Sequence, residues 1–538
     1  MTDIGTLNFL WSQTLIVGFV AAGVRQAVIS PGSRSTPLAL AMLRQTGLHC
    51  HVAVDERSAA FFALGIAKAS RRPVLLLATS GSAPANWLPA IVEASQAAIP
   101  LIAISADRPP ELQDCGANQT IEQIGLFGVH VRASHAPGAP FAGFDPGWLH
   151  RLAAQACEQA SWPHPGPVHI NQPFREPLLP AEDLPQAALP AAIRSSAGPQ
   201  APDREAIEAL ARSLSGRPGL IVCGELPAQV GFAAAVTELA TKLACPILAE
   251  PLSGLRFGAH DRARICVRYN AWLGSPDGAA GLKPKWILRF GNAPVTRNLQ
   301  NYLASTSAAV HAVVDPLPRW SDPARRLTHL LRADPLLACR ALLATNPSPA
   351  PEEWQAGFAA REAVVPDAGN AWHIAPLVDE LPAGYAMFIG NSLAIRQFDT
   401  YSGSADREFH LFANRGASGI DGNISTALGI AVEHGRVLAL LGDLTCQHDL
   451  GGLALARGRD AIIVAVNNGG GGIFEQLPQA ALPEFDLGWR TPQQFDFAHA
   501  ARAFGIDSAR AAGEDDLRRA LRHAIAVGGP HLIEVLAG

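Results

Sequence analysis

Two separated stretches of this 538-residue chain contain residues that could carry acid–base and metal chemistry. Glu56 lies in the string Asp-Glu-Arg-Ser-Ala-Ala-Phe. The second stretch lies almost four hundred residues later. It begins with a buried strand that leads into the acidic turn Gly442-Asp443-Leu444, continues with a helix and a second strand, and ends in an Asn-Asn-Gly-Gly loop. Asp443 and Asn468, at the ends of neighbouring strands, could bind one Mg²⁺ through oxygen atoms, and glycines let backbone approach a diphosphate. The second stretch therefore predicts a diphosphate and metal site.

Four arginines also follow predicted strands closely, where open α/β sheets place their ligands. These are Arg34, Arg108, Arg396 and Arg415. Guanidinium groups bind carboxylates through two parallel hydrogen bonds. Each arginine alone could be a surface ion pair, but their shared position favours a common ligand. In a chain of net charge −5, this placement predicts a substrate with several carboxylates.

The elements that position these residues alternate short apolar strands with longer helical patterns. The predicted strands include Ala27–Ser30, Val74–Leu77, Leu101–Ile104, Gly219–Val222, Trp286–Leu288, Val310–Val314, Met387–Ile389, Val437–Leu441 and Ile462–Val466. Strand–helix alternation with apolar strands is typical of parallel sheets covered on both faces. The fold class is therefore α/β, with three parallel-sheet domains.

Two Pro-rich stretches read as linkers between these domains. They are Pro173–Asp203 and Asn346–Glu353, and both lack a sustained helical or strand period. They divide the chain into domains of about 1–180, 200–345 and 360–538. The first and third blocks could be related folds, but the sequence does not show it.

Composition excludes several classes of protein. Hydrophobic residues are 48% and charged residues 17% of the chain, which is typical of a globular protein, and the mild negative charge argues against a nucleic-acid surface. The eight cysteines form no Cys-x-x-Cys pair, so neither a zinc site nor a disulfide framework is expected. The early apolar run Thr14–Val24 is too short to span a bilayer. A cytoplasmic protein with no membrane partner is predicted.

Several strings together resemble one enzyme family. They are Pro-Gly-Ser-Arg-Ser-Thr-Pro-Leu, Asp-Glu-Arg-Ser-Ala-Ala-Phe-Phe-Ala-Leu-Gly, Thr-Ser-Gly, Ala-Asp-Arg-Pro-Pro-Glu-Leu, Asn-Arg-Gly-Ala-Ser-Gly-Ile-Asp-Gly and Gly-Gly-Ile-Phe. The chain resembles the thiamine-diphosphate-dependent 2-succinyl-5-enolpyruvyl-6-hydroxy-3-cyclohexene-1-carboxylate synthases of menaquinone biosynthesis. The resemblance is strong over 30–123 and 390–478 and weak in the middle block.

The resemblance implies a reaction and a cofactor. The enzyme would decarboxylate 2-oxoglutarate on thiamine diphosphate and add the succinyl unit to isochorismate. Glu56 would hydrogen-bond the aminopyrimidine ring and start proton removal from the thiazolium, and we expect it to be buried against the cofactor with a raised pKa. The resemblance also implies Mg²⁺ or Mn²⁺, and a homodimer or homotetramer with active sites between subunits.

The resemblance assigns further residues to three sites. Those implied for the metal are Asp443, Asn468 and, through its carbonyl, Gly470. Those implied for the cofactor are Ser392, Ile420, Gly442, Asp443, Leu444, Asn468, Gly470, Ile473 and Phe474. Those implied for the substrates are Ser33, Arg34, Arg108, Gln119, Arg297, Ser392, Arg396 and Arg415. Gly469 stands where the family leads us to expect asparagine, and Arg297 stands where lysine is frequent.

Three other interpretations stay open at this point. A different thiamine-diphosphate carboligase, similar to acetolactate synthase, would need fewer arginines at its substrate. A non-catalytic relative would be expected to lose Glu56 or a metal ligand, and neither is lost. A nicotinamide dehydrogenase is disfavoured because no Gly-x-Gly-x-x-Gly turn follows the first predicted strand.

Overall fold

Three parallel six-stranded sheets, each covered by helices, form the protein. We describe it from a computed structural model that covers residues 3–537 except 182, 183, 185–187 and 194. Within these ranges every strand pairing inside the sheets is parallel. The predicted fold class is confirmed, and each of the strands predicted above overlaps an observed one.

The first sheet has the strand order β2-β1-β3-β4-β6-β5. Its strands are β1 (Gln26–Ile29), β2 (His49–Val52), β3 (Val74–Ala78), β4 (Leu101–Asp107), β5 (Ala133–His135) and β6 (Pro167–Pro173). The accompanying helices are α1 (Ile4–Ala21), α2 (Thr36–Arg44), α3 (Glu56–Ser70), α4 (Ser82–Ala85), α5 (Leu88–Ala97) and α6 (Pro146–Ser161). Strands β3 and β4 are buried along their whole length, as expected for parallel strands with helices on both faces.

The second sheet has the order β12-β11-β10-β7-β8-β9. Its strands are β7 (Gly219–Cys223), β8 (Ile247–Ala249), β9 (Ile265–Cys266), β10 (Trp286–Phe290), β11 (Val310–Val314) and β12 (His329–Leu331). Its helices are α7 (Arg204–Leu214), α8 (Phe232–Leu243), α9 (Tyr269–Leu273), α10 (Arg297–Ser305), α11 (Pro335–Ala344) and α12 (Glu352–Glu362). Helix α12 follows the second predicted linker and is joined to this sheet, because Trp354 donates its indole N–H to the Gly219 carbonyl at 2.7 Å.

The third sheet has the order β14-β13-β15-β16-β18-β17. Its strands are β13 (Ala386–Ile389), β14 (His410–Phe412), β15 (Arg436–Gly442), β16 (Asp460–Asn467), β17 (Asp507–Ala511) and β18 (Pro530–Leu536). Its helices are α13 (Ile374–Glu380), α14 (Leu393–Tyr401), α15 (Asn423–His434), α16 (Asp443–His448), α17 (Phe497–Ala503) and α18 (Glu514–Val527). If the strands of this sheet are renumbered from its own first strand, β13, their order is the same as that of the first sheet. The first and third blocks therefore share a topology that the sequence left undecided.

The first and third sheets are joined by a close crossing of α3 and α15. A Cβ on Gly65 would lie 2.1 Å from the carbonyl oxygen of Thr426, and one on Gly429 would lie 2.1 Å from that of Phe62. Only glycine lets the two helix backbones approach this closely. One continuous apolar cluster spans both domains as a result.

Helix α1 is apolar and long enough, by length and composition, to cross a membrane. It is longer than the run Thr14–Val24 suggested, because the helix begins at Ile4. About two thirds of its apolar window (67%) is buried inside the first domain. The all-round apolar character of α1 therefore matches a core helix.

Candidate active site

The cradle formed by Asp443 and the glycine-rich loop lies at the carboxyl ends of the third sheet. The next strand in the chain, β14, lies on one side of β13, and the following strand, β15, lies on the other side. The strand order therefore reverses between β13 and β15. Ligands of open α/β sheets bind in the crevice at such a reversal. Ser392 follows β13, and Asp443 follows β15 as the first residue of α16. The topology therefore brings these two predicted residues to the same crevice.

Asp443 is 6% exposed, and backbone N–H groups hold both of its carboxylate oxygens. Its Oδ1 accepts from Leu444 N and its Oδ2 accepts from Gly470 N, each at 2.7 Å. Burial raises the pKa of Asp443, and the two N–H groups and the nearby Arg490 charge oppose that rise. Each carboxylate oxygen has further lone pairs, so the group can still bind a cation.

Asn468 presents a buried acceptor that has no hydrogen-bond partner among the described residues. Its Oδ1 is inaccessible to solvent and unpaired, a state that costs free energy unless a ligand satisfies the oxygen. An amide oxygen beside a carboxylate is the donor set that Mg²⁺ binds in proteins. The residues at this position therefore fit a hard divalent cation.

The backbone of the glycine-rich loop explains its composition. Gly470 has a φ of +130°, and a Cβ there would lie 2.3 Å from the Arg490 carbonyl oxygen. Its carbonyl, the predicted metal contact, also accepts from Gly472 N at 2.8 Å. Gly469 has a φ of +77°, a region that asparagine tolerates better than other side chains do, so glycine can replace the expected asparagine there without a change of backbone.

The remaining predicted cofactor residues surround this loop. Gly442 and Leu444 flank Asp443 and are half-buried, as are Ile473 and Phe474 in the 3₁₀ turn Gly472–Gln476. Ile420 is an exposed aliphatic residue, 36% accessible, three residues before the start of α15. Ser392 has a φ of +66°, which is uncommon for a residue with a side chain and is often found at functional sites.

Glu56 is the first residue of α3 and is half-buried. The full burial that we expected for it is therefore not present in the single chain. The preceding residue, Asp55, caps the helix by accepting from Arg57 N and Ser58 N. Arg57 donates to the His448 carbonyl at 3.0 Å, and within the described residues the Glu56 carboxylate has no ion pair or hydrogen bond. A structural Glu56–Arg57 pair is thus absent, and the carboxylate is free for another partner.

The four predicted arginines form two pairs. Burial and the charge of Arg34 lower the pKa of Arg108, and burial and the charge of Arg415 lower the pKa of Arg396. Like charges held together in this way favour an anionic ligand. The first and the third sheet thus each supply one pair of cations at their carboxyl ends.

The first pair is held by polar groups of its own domain. Arg34 is 7% exposed and donates to Glu176 Oε1 at 2.8 Å and to the Phe174 carbonyl at 3.0 Å, while its Nε is buried without a partner. Arg108 donates to Ser80 Oγ. Gln119, also predicted, donates to the Ser80 carbonyl at 2.9 Å, so Ser80 joins the two.

The second pair lies beside the cofactor crevice. Arg396 Nη1 donates to the Ser392 carbonyl at 2.6 Å, and Arg415 Nη1 donates to Asn391 Oδ1 at 2.6 Å. Two predicted substrate residues are less constrained. Ser33 is exposed, and Arg297 is exposed at the first position of α10, with no hydrogen bond or ion pair to another described residue.

Comparisons with known proteins place this arrangement in a family. The thiamine pyrophosphate enzyme N-terminal TPP binding domain matches residues 11–126, and the C-terminal TPP binding domain matches residues 392–535. A curated 2-succinyl-5-enolpyruvyl-6-hydroxy-3-cyclohexene-1-carboxylate synthase of Dechloromonas aromatica is 64% identical over 99% of both chains. The chain belongs to this synthase family. A synthase of Geobacillus kaustophilus is 42% identical over 98% of this chain and 94% of its own.

A solved structure supports the fold independently. The benzoylformate decarboxylase of Polynucleobacter necessarius superposes with a TM-score of 0.73 at 18% identity, over 100% of this chain and 99% of that one. At this identity the likeness shows the fold alone. The chain is thus a member of the synthase family on a thiamine-diphosphate enzyme scaffold.

Sequence reasoning missed three residues of this site. Glu93 and Asn391 hold the loop that carries Arg415. Arg490 pairs with Glu475 at 2.8 Å and donates to the Asn468 carbonyl. No local pattern marks Glu93 or Arg490, because each reaches the site only through the tertiary fold. Asn391, by contrast, lies between Gly390 and Ser392, where an asparagine after a buried strand is a recognisable signal.

Proposed function

We propose that the protein is a transferase that decarboxylates 2-oxoglutarate and joins the succinyl unit to isochorismate, as a step of menaquinone biosynthesis. The observation that carries this proposal is the Arg396–Arg415 pair next to Ser392 in the cofactor crevice. A dicarboxylate donor needs such a pair at its distal carboxylate, whereas pyruvate does not. The names of the curated relatives support the same reaction.

Bound thiamine diphosphate would supply the electron sink for decarboxylation. Glu56 would exchange a proton with a ring nitrogen of the cofactor, and its unpaired carboxylate at the start of α3 supports this role. Ile420 and the half-buried Ile473 and Phe474 would exclude water from the reacting centre. Gly442 and Leu444 would bring backbone to the diphosphate.

A divalent cation, Mg²⁺ or Mn²⁺, would bind at Asp443, Asn468 and the Gly470 carbonyl. The unpaired buried Oδ1 of Asn468 and the buried carboxylate of Asp443 support this assignment. Oxygen donors of this kind suit hard cations rather than Zn²⁺. The cation would neutralise part of the diphosphate charge.

The two arginine pairs would bind the substrate carboxylates. The proposed substrate residues beyond these pairs are Ser33, Gln119, Arg297 and Ser392. Burial, followed by the charge of the other arginine of the pair, lowers the pKa of Arg108 and of Arg396, and a bound anion would relieve this repulsion between like charges. The pairs belong to different sheets, which is consistent with a reaction that must hold two anionic substrates at once.

We also propose a cytoplasmic homodimer or homotetramer, and a division into domains at 1–180, 200–345 and 360–538. Val52 is 58% exposed and Val54 is 83% exposed, and they lie four and two residues before Glu56. Exposed aliphatic side chains beside a catalytic residue are typical of a surface that another subunit covers. Light scattering of the cofactor-loaded protein tests the oligomer.

The reaction is tested by incubating the protein with thiamine diphosphate, Mg²⁺, 2-oxoglutarate and isochorismate, and by identifying the product by mass spectrometry. We expect a succinylated cyclohexene product together with CO₂. Pyruvate replaces 2-oxoglutarate in a parallel reaction. Equal use of pyruvate would favour the acetolactate-type interpretation and refute the proposed donor.

A further inference from the structure

The loop of residues 413–420, here named the presenting loop, carries both Arg415 and Ile420. Two buried charged side chains of the first domain contact it, although neither belongs to the proposed chemistry. Lys68 of α3 is 8% exposed, and Glu93 of α5 is 3% exposed. Burying a charge is costly unless it is well paired, so both residues require an explanation.

Glu93 binds three consecutive backbone N–H groups of the presenting loop. Its Oε1 accepts from Gly416 N at 2.8 Å, and its Oε2 accepts from Ala417 N at 2.6 Å and from Ser418 N at 3.3 Å. A Cβ on Gly416 would lie 2.6 Å from the Glu93 carbonyl oxygen, so the loop backbone packs directly on α5. These charge-assisted hydrogen bonds fix the backbone immediately after Arg415.

Lys68 holds the other end of the same loop. Its ammonium group donates to the Ala413 carbonyl at 2.5 Å. A cation therefore fixes the carbonyl of Ala413, two residues before Arg415, and an anion fixes the N–H groups of the three residues after Arg415. Helix α3 also begins with Glu56, so one rigid element joins the proposed proton-exchanging residue to the presenting loop.

Asn391 completes the support from within the third domain. Its amide group donates to the carbonyls of Asn414 and Gly419 at 2.9 and 2.7 Å. Its oxygen accepts from Arg415, as described above. The first domain holds the presenting loop at Ala413 and at residues 416–418, on both sides of Arg415. The guanidinium of Arg415 can therefore take up few orientations.

We propose that Glu93 and Lys68 are positioning residues that fix Arg415 for an anionic substrate. This inference rests on the proposed function, because it takes Arg415 as a substrate-binding residue. The two buried charges act only through the presenting loop and touch neither substrate nor cofactor. Small displacements of a positioned cationic group can cost about a hundredfold in catalysis.

The test begins with Glu93→Gln, which keeps the shape but replaces one oxygen by a donor that faces backbone N–H groups. We expect the KM for 2-oxoglutarate to rise about tenfold to a hundredfold, because a charge-assisted contact and the loop position are lost. The dissociation constant of thiamine diphosphate with Mg²⁺, measured by calorimetry, should change less than about threefold. Glu238→Gln, at an exposed position of α8, is the matched control.

A double-mutant cycle with Arg415→Met decides whether Glu93 acts through Arg415. In the Arg415→Met background, Glu93→Gln should raise KM less than about threefold further. Independent effects that multiply would overturn the proposal, as would an unchanged KM in the single variant. Lys68→Met, with exposed Lys242→Met as its control, repeats the cycle from the other end of the loop.

The cycle also separates this inference from the proposed reaction. The parent protein's choice between 2-oxoglutarate and pyruvate tests the reaction. The cycle is then measured with whichever 2-oxo acid the parent uses. A parent that prefers pyruvate refutes the donor, while coupling between Glu93 and Arg415 still supports the positioning role.

Discussion

Replacing Arg396 by methionine should weaken the use of a dicarboxylate donor and also relieve repulsion in the substrate-free protein. Burial, followed by the charge of Arg415, lowers the pKa of Arg396, so the pair is held together at a cost until an anion binds. Methionine keeps most of the apolar stem of arginine and removes the charge. The substitution should lower the activity with the dicarboxylate donor and relieve repulsion in the substrate-free protein, so kinetics and thermal unfolding report on the two effects separately.

The magnitude follows from the contact that Arg396 is proposed to make. A charge-assisted hydrogen bond contributes about 1.5–3 kcal/mol, or about tenfold to a hundredfold in kcat/KM for 2-oxoglutarate. Pyruvate has no distal carboxylate, so its kcat/KM should fall less than about threefold. The stability of the free protein should change by only a few tenths of a kcal/mol, because the relief of repulsion is opposed by loss of the hydrogen bond from Arg396 to the Ser392 carbonyl.

The assay compares both donors at saturating isochorismate and records the thermal midpoint without substrate. Arg212→Met, at an exposed position of α7, controls for the loss of a positive charge. A donor preference identical to that of the parent would refute the role of Arg396. A clearly lower thermal midpoint would show that the hydrogen bond from Arg396 to the Ser392 carbonyl outweighs the repulsion in the free site.

Three further changes test other parts of the site and fold. Glu56→Gln should bind thiamine diphosphate normally and lose about 10²–10⁴-fold in carboligation; unchanged hydrogen–deuterium exchange at the cofactor C2 by NMR would contradict this role. Asn468→Ala should leave cofactor-free stability intact, since its Oδ1 is unpaired, and should weaken cofactor binding with Mg²⁺; equal calorimetric affinity would show that the metal assignment is wrong. Glu250 follows β8 and is buried, and this burial together with the charge of Asp399 raises its pKa from 4.5 to about 8. A carboxyl whose pKa is raised by folding favours the folded state while it is protonated. Its contribution to the free energy of unfolding is therefore lost as the pH rises through that interval, by about 5 kcal/mol at most. Glu250→Gln should flatten the pH dependence of urea unfolding between pH 5 and about 8, and an unchanged slope would contradict the raised pKa.

Most strands that the sequence predicted are continuous apolar runs buried along most of their length, whereas β6, which is buried throughout but carries His169, Asn171 and Gln172, lacks such a run and was not predicted. Strand β3 is an uninterrupted Val-Leu-Leu-Leu-Ala run, and β16 is similar. Edge strands such as β5 and β17 escaped prediction because they are only three and five residues long and largely exposed. A short strand with few buried residues has no pattern that separates it from a loop.

Residues of the site also divide into those that a local sequence pattern marks and those that it does not. Residues in contiguous motifs can be recognised in the sequence because backbone geometry selects their types, and Asp443 and its glycine-rich loop lie at the crevice that follows β15. Glu93 was not predicted, since a single glutamate within the apolar helix α5 reads as a solvated position. Its carboxylate accepts from three N–H groups that lie more than 300 residues away in the chain. Such contacts become visible only when two domains are packed together.

Because the first and third sheets share one topology, the residues at equivalent strand ends can be compared directly. Strands β4 and β16 occupy equivalent places in their sheets and end in Asp107 and Asn467. The carboxylate of Asp107 is already occupied by Arg108 N at 2.7 Å and by Asn171 Nδ2 at 2.8 Å, whereas Asn468 keeps an unpaired oxygen. The two equivalent strand ends therefore differ, because donors of its own domain occupy the carboxylate after β4, while an amide oxygen without a described partner follows β16. Two sheets of one topology thus differ in whether the oxygens at an equivalent strand end are paired, so a shared topology does not by itself assign a shared chemistry.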